Sequence, residues 1–263
     1  MAGGDGAVKT ALTVAGSDSG GGAGVQADLK TFAALGVYGT CAITAITAQN
    51  TQGVRCVSPL APDLVAAQIA AVREDFDVAA VKIGMLATPD IADAVSVAVV
   101  GLWSVYDPVM VASSGDALMA DGFVAASLRL AGQVDLATPN LAEAARWLGA
   151  PLAQSEAEMV AQGRALLALG LRAVLMKGGH LSGKPVDMLV TPQGVRRFSG
   201  ARIDSGNLHG TGCVLSSALA AHMARGSALP EAVERAKAFV RRAISEGRDL
   251  KLGKGPGPLI PTP

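Results

Sequence analysis

Lys9-Thr10-Ala11-Leu12-Thr13-Val14-Ala15 runs into Gly16-Ser17-Asp18-Ser19-Gly20-Gly21-Gly22-Ala23, and then into a stretch from Gly24 to Leu35. The first piece reads as a buried strand. The second is a turn dense in glycine, and the third has helical character. A strand, a glycine turn and a helix in that order open a parallel sheet whose connections pass through helices.

The same alternation continues along the chain. Residues 40–47 are strand-like and rich in β-branched side chains, and 62–75 form a helix with Pro62 in its first turn. Residues 78–83 read as a strand, 89–100 as a helix, 103–106 and 134–137 as strands, and 140–148 as a helix. Ser155 and Glu158 are spaced as a capping box for a helix reaching residue 169. A strand follows at 172–176. Residues 186–191 and 195–198, joined by Pro192-Gln193-Gly194, make a hairpin. Helices at 211–225 and 230–246 close the chain. The pattern predicts an α/β fold with a mainly parallel sheet covered by helices on both faces. No linker, repeat or low-complexity segment divides residues 1–263, so a single domain is expected, with 1–8 and 258–263 loosely ordered and the glycine- and proline-rich 253–258 a surface loop.

Composition narrows the function. Half the residues are hydrophobic, enough for a large core, and only 3% are aromatic, which argues against base-stacking nucleic-acid modules. Lys plus Arg and Asp plus Glu are 22 each, so no net field draws DNA or anionic lipid. The N-terminal MAGGDGAVKT lacks the apolar core of a signal peptide, and no apolar run reaches membrane-spanning length. Cys41, Cys56 and Cys213 are far apart and fit neither a zinc spacing nor a disulfide framework, as expected of a cytoplasmic protein; His180, His209 and His222 form no ligand pattern.

In open parallel sheets ligands gather at the C-terminal ends of the strands, and the unusual clusters of this chain follow predicted strands. His209-Gly210-Thr211-Gly212-Cys213 is a glycine turn opening a helix, a place for anionic oxygens with a thiol whose thiolate would be favoured; a capped turn beside a buried small Cys is the plainer reading. Gly22-Ala23-Gly24-Val25-Gln26-Ala27 only loosely matches a dinucleotide fingerprint, and no acidic residue lies between Asp28 and Asp63 to bind a ribose. Gln49, expected in the loop after the second strand, could pair in two places with an aminopyrimidine edge or simply satisfy loop backbone. Asp107 ends an apolar run as an outer Mg²⁺ ligand or a helix cap. Asn140 and Glu143 suit the N-cap and N3 positions of a helix. Lys177 ends a strand, where its cation could meet a phosphoryl group or merely reach for solvent.

Taken in order, AGSDSGGGAGVQADLKTFAALGVYG from residue 15, TAQNTQGV from 47, KIGML from 82, DPVMVASSGDAL from 107, TPNLAEA from 138, LMKGGH from 175, HGTGC from 209 and LGKGPGP from 252 resemble the hydroxymethylpyrimidine/phosphomethylpyrimidine kinases of thiamine biosynthesis, a family of the ribokinase-like superfamily. The resemblance spans about residues 11–257. It implies a single-domain three-layer α/β/α sandwich and ATP-dependent phosphorylation of a hydroxymethylpyrimidine to its monophosphate and then its diphosphate. It further implies that Gly16, Asp28, Gln49, Met85 and Val109 line the pyrimidine pocket, and that Asp107 and Glu143 organise Mg²⁺. By the same token Lys177, Asn140 and Thr211 contact ATP phosphates, Gly210 to Gly212 form the anion hole, and Cys213 is the proton acceptor or a polar neighbour. A homodimer acting on a small molecule is the implied assembly. The residues that hold adenine are not legible. The nearest alternative is a kinase of vitamin B6 alcohols; Gln49 and Ala112 favour the pyrimidine.

Overall fold

The computed structural model describes residues 8–111, 118–179, 181 and 184–261. Nine strands form one sheet in the order β3-β2-β1-β4-β5-β6-β7-β8-β9. Six of them, β1 (Thr10–Asp18), β2 (Tyr38–Asn50), β4 (Val78–Ile83), β5 (Ser104–Tyr106), β6 (Leu136–Ala137) and β7 (Val174–Lys177), pair in parallel. Three others, β3 (Gly53–Pro59), β8 (Val186–Thr191) and β9 (Gly194–Ser199), add antiparallel margins. Strand order reverses at β1, whose neighbours are β2 and β4, and the crevice beyond the strand ends there is the expected ligand position.

Helices cover both faces, as the alternation predicts. On one face α2 (Pro62–Asp75), α3 (Pro89–Ala98), α4 (Phe123–Ala131), α5 (Leu141–Leu148) and α6 (Glu156–Ala168) close over Leu12, Val14, Val81, Ile83 and Tyr106. On the other, α1 (Gly24–Ala34), α7 (Thr211–Ala224) and α8 (Leu229–Gly247) close over Ala11, Ala80, Val105 and Leu175. Successive strand residues thus feed opposite cores, so the inner strands are apolar throughout. Helix α7 is buried around most of its circumference, packed on α1, α8 and the sheet.

Several expectations change. Strand β2 continues through Gln49 to Asn50, because after leaving β1 at Thr47 it pairs with β3. Strand β3 carries Arg55, Ser58 and Pro59 and is half-exposed, so it lacks the alternation that reveals a strand. Helix α4 also went unread. Ser155 accepts from the Glu158 N–H at 3.2 Å, but the Glu158 carboxylate turns to the Gln154 N–H at 2.7 Å, so this cap is half of a box. Residues 258–260 are not loose: the Leu259 N–H donates to the His209 carbonyl at 3.2 Å, and Leu259 is 4% exposed. The loop before them lies against Thr51, whose hydroxyl accepts from the N–H groups of Lys254 and Gly255. Residues 1–7, Ala112 and His180 lie outside the described residues.

Candidate active site

One cavity of about 820 Å³ opens across the strand ends. Strand β1 supplies Gly16, where its register with β2 shifts, a bulge of the kind that re-aims a chain beside a site. A Cβ on Gly16 would lie 3.0 Å from Met85 Sδ, so glycine is what lets Met85 form the facing wall. Gln49 from β2 and Val109, two residues beyond Asp107, complete this limb with Leu118.

The polar floor comes from β5, α5 and β7. Lys177 Nζ donates to Asp107 Oδ1 at 2.6 Å and stands 4.0 Å from Glu143 Oε2. Burial would lower the Lys177 pKa, but the two carboxylates hold it above the ordinary lysine range. Asn140 and Glu143 form a complete capping box, Asn140 Oδ1 accepting from the Glu143 N–H at 2.9 Å and Glu143 Oε2 from the Asn140 N–H at 2.7 Å. The same Glu143 carboxyl also faces the cavity. Burial raises its pKa to about 7, with Lys177 opposing and Asp107 adding to the rise.

Helix α7 brings the glycine turn to this floor. Gly210 caps it at φ 85°, and a Cβ there would run into the Gly22 carbonyl. The first bond of the helix runs from the Val214 N–H to the Gly210 carbonyl, and the N–H groups of Gly210, Gly212 and Cys213 have no acceptor among the described residues. Thr211 differs. Its N–H and its hydroxyl both turn to the Leu208 carbonyl, at 3.3 and 2.6 Å, and a phosphate contact there requires these bonds to be exchanged. A Cβ on Gly212 would stand 3.1 Å from Asp107 Oδ2 and 3.5 Å from Lys177 Nζ, so helix end, carboxylate and cation share one corner.

Two further expectations are corrected. Asp28 is absent from the cavity wall. It is wholly buried behind it, where Thr13 Oγ1 (2.6 Å) and Lys82 Nζ (2.7 Å) donate to Oδ2 and Ser217 Oγ (2.6 Å) to Oδ1. Lys82, fully buried, borders the cavity in its place. Its pKa is raised: burial opposes the charge most strongly, but Asp28, Cys213 and Asp107 together outweigh it. The Cys213 thiol is the other. The helix end would favour thiolate, yet burial pushes the thiol up to about 11 against the pull of Lys82. It lies in the cavity as a protonated thiol at neutral pH.

Mg²⁺ is a hard cation that retains waters and needs only one or two protein carboxylates beside substrate phosphates. Among the described residues no three acidic, His or Cys side chains converge as a metal cage. Asp107 Oδ2, with no hydrogen bond among the described residues, and the Glu143 carboxyl meet that smaller requirement.

Beyond Lys177 the cavity continues between Ala201, Ile203, Leu215, Val240 and Ile244, with Lys237 and Arg241 at its edge. Lys237 pairs with Asp187, whose other oxygen accepts from the Gly178 N–H at 3.0 Å. None of these residues was legible as functional, since they come from helix flanks and irregular chain with no motif. Asp18 and His209 are different: both belong to glycine-rich motifs, but they lie 191 positions apart and nothing in the sequence marks them as a pair. His209 Nε2 lies 3.1 Å from Asp18 Oδ2.

The phosphomethylpyrimidine kinase family model matches residues 18–260. The chain belongs to that family. It is 51% identical to the hydroxymethylpyrimidine/phosphomethylpyrimidine kinase of Salmonella typhimurium, over 95% of this chain and 96% of the relative. Among solved structures, the ADP complex of Bacillus subtilis pyridoxal kinase superposes with a TM-score of 0.89 at 35% identity, covering 97% of this chain and 98% of that one. The phosphomethylpyrimidine kinase of Clostridium difficile gives 0.79 at 40% identity, covering 90% and 99%. These neighbours agree with the three-layer ribokinase-like architecture expected of the family.

Proposed function

We propose that this phosphomethylpyrimidine kinase family member transfers the γ-phosphoryl group of ATP to the hydroxymethyl oxygen of an aminopyrimidine, and then a second phosphoryl group to the monophosphate, in thiamine biosynthesis. The carrying observation is that a single cavity joins the Gln49–Met85 limb to the corner where Lys177, Asp107 and the start of α7 meet. The apolar limb beyond Lys177 suits adenine, and the Bacillus subtilis relative, solved as an ADP complex, supports a nucleotide as co-substrate.

In the first transfer an alcohol O–P bond forms, the bond from the γ-phosphorus to the bridging oxygen breaks, ADP leaves and the alcohol proton is released. The transition state is loose, so positioning and charge neutralisation do most of the work. Lys177 meets the equatorial oxygens of the moving group, and the free N–H groups of Gly210, Gly212 and Cys213 hydrogen-bond to them. Asn140, held by its capping box, orients the phosphate chain. Asp107 and Glu143 would hold Mg²⁺, which supplies charge neutralisation between phosphate oxygens when bound. Cys213 takes the alcohol proton only when its own has gone; the monophosphate, already ionised, needs no such acceptor.

A second reading, phosphorylation of vitamin B6 alcohols, is favoured by the likeness to pyridoxal kinase. The test is mass-spectrometric product analysis with ATP, Mg²⁺ and the aminopyrimidine alcohol, run beside pyridoxine. Masses rising by one and then two phosphoryl groups on the pyrimidine, with higher kcat/KM than pyridoxine, support the proposal; no pyrimidine product overturns it. The same proposal includes a cytoplasmic location, which three unpaired cysteines suit, and a homodimer. Twice the chain mass in light scattering is the result expected of that homodimer.

A further inference from the structure

Asp18 is an anchored carboxylate. Oδ1 accepts from the Gly20 N–H at 2.8 Å, and Oδ2 from the N–H groups of Gly22 (3.1 Å) and Ala23 (2.9 Å). Burial alone would raise its pKa, but the His209 bond and these N–H groups bring it below the usual value. An ionised carboxylate only accepts hydrogen bonds, so the hydrogen between it and His209 sits on Nε2. That settles what the neighbouring amide can do. Gln49 Nε2 is placed 3.4 Å from that His209 nitrogen and Gln49 Oε1 3.2 Å from Thr47 Oγ1, but the hydrogens of these neighbours decide which amide end belongs where. The Thr47 hydroxyl has one hydrogen and a shorter bond for it, to the Ser17 carbonyl at 2.9 Å. Thr47 therefore offers Gln49 a lone pair, whereas His209 Nε2, its one hydrogen directed at Asp18, has no lone pair for an amide NH₂ and can only share that hydrogen with an oxygen. The two ends of an amide exchange by a half-turn, and only one orientation satisfies both neighbours: NH₂ toward Thr47, carbonyl oxygen toward His209.

We infer that the Asp18–His209 pair, with Thr47, locks the Gln49 amide in that orientation and makes His209 a specificity-determining positioning residue. Locked this way, Gln49 keeps one N–H and one oxygen lone pair for the cavity, the acceptor on the His209 side. An aminopyrimidine edge has a ring nitrogen beside an exocyclic NH₂ and meets that pair in one register only: its amino group toward His209, its ring nitrogen toward Thr47. A heteroaromatic alcohol lacking the amino donor leaves the Gln49 oxygen unmatched. This rests on the function proposed above and adds who sets the recognition.

The test is a cycle of protein and ligand changes read by calorimetric binding. The ligands are the aminopyrimidine alcohol and the same compound with hydrogen in place of the amino group. With the wild-type protein, losing the amino group should weaken binding about tenfold or more, one hydrogen bond's worth. With His209→Ala the two ligands should bind within about threefold, and His209→Gln, whose amide can still donate to Asp18, should recover most of the wild-type ratio. Thr47→Val removes the other lock and should also collapse the ratio. It serves if His209→Ala does not fold, as judged by loss of ADP binding. A full wild-type ratio in a folded His209→Ala or Thr47→Val variant overturns the inference, as does a His209→Gln protein no better than His209→Ala. Absence of phosphorylated pyrimidine from the wild-type protein would instead defeat the reading of function, which is a separate result.

Discussion

Cys213 shows how one residue's setting outweighs its local sequence. A helix start argues for an easily ionised thiol, whereas the apolar packing around it holds the proton on. The sign of the pH effect follows. An ordinary thiol has a value of 9.0 and the folded one about 11, so between these the native chain keeps a proton that the unfolded chain has lost. The contribution of this thiol is whole below pH 9 and declines as pH rises through 11. Cys213→Ala should therefore flatten the fall of Tm between pH 9 and 11. In kinetics, the thiolate fraction grows about tenfold per pH unit well below the pKa. The rate on the alcohol should rise with pH between 7 and 9, that limb should vanish in Cys213→Ala, and the monophosphate step should lose much less. Equal losses in both steps would remove Cys213 from the proton-acceptor role. Most of the candidate site was legible at this scale because glycine turns, a strand-ending lysine and an isolated carboxylate carry their chemistry in their neighbours. Asp28 misled because an acidic residue on a helix after a glycine loop says nothing about which way it faces. Its partners Thr13, Lys82 and Ser217, brought together only by the fold, reveal that it faces inward.

Among the elements, the start of α5 has two jobs in one side chain. Glu143 completes the cap of the helix, and its carboxyl also faces the phosphoryl corner. Glu143→Gln separates them, since an amide oxygen can still accept from the Asn140 N–H while the charge is gone. The expected outcome is a Tm at pH 7 within a few degrees of wild type, with kcat down by at least about tenfold and a higher Mg²⁺ requirement. Retained kcat at unchanged Mg²⁺ demand would reduce Glu143 to a capping residue. Strand and helix spacing was readable wherever apolar residues repeat, as in α2 and β4. It failed for β3 and α4. The edge strand is half solvated, and α4 follows a stretch whose glycine and aspartate obscure its start.

Across the whole molecule, the last residues tie distant parts of the chain together. Residues 254–259 bond to Thr51 at the β2–β3 turn and to His209 ahead of α7, while Asn207 Nδ2 donates to the carbonyls of Gly247 and Leu250, both at 2.7 Å. Removing residues 253–263 takes away the Leu259 contact and the bonds to Thr51 and His209, roughly 2–4 kcal/mol together, and leaves the Asn207 bonds in place. Thermal denaturation should show a Tm lower by about 5–15 °C. The pyrimidine KM should rise, because His209 loses its backbone partners; an unaltered Tm and KM would show the tail to be ornamental. No composition rule foretells this, since glycine and proline at a chain end read as slack.

Helix α7, enclosed by α1, α8 and the sheet, is also the one that carries the glycine cradle. A rod so hemmed in cannot tilt without opening the interior on several sides at once. Any motion that admits nucleotide and expels product must therefore belong to the opposite bank of the crevice, with the cradle serving as the stationary anvil against which the reactants are pressed.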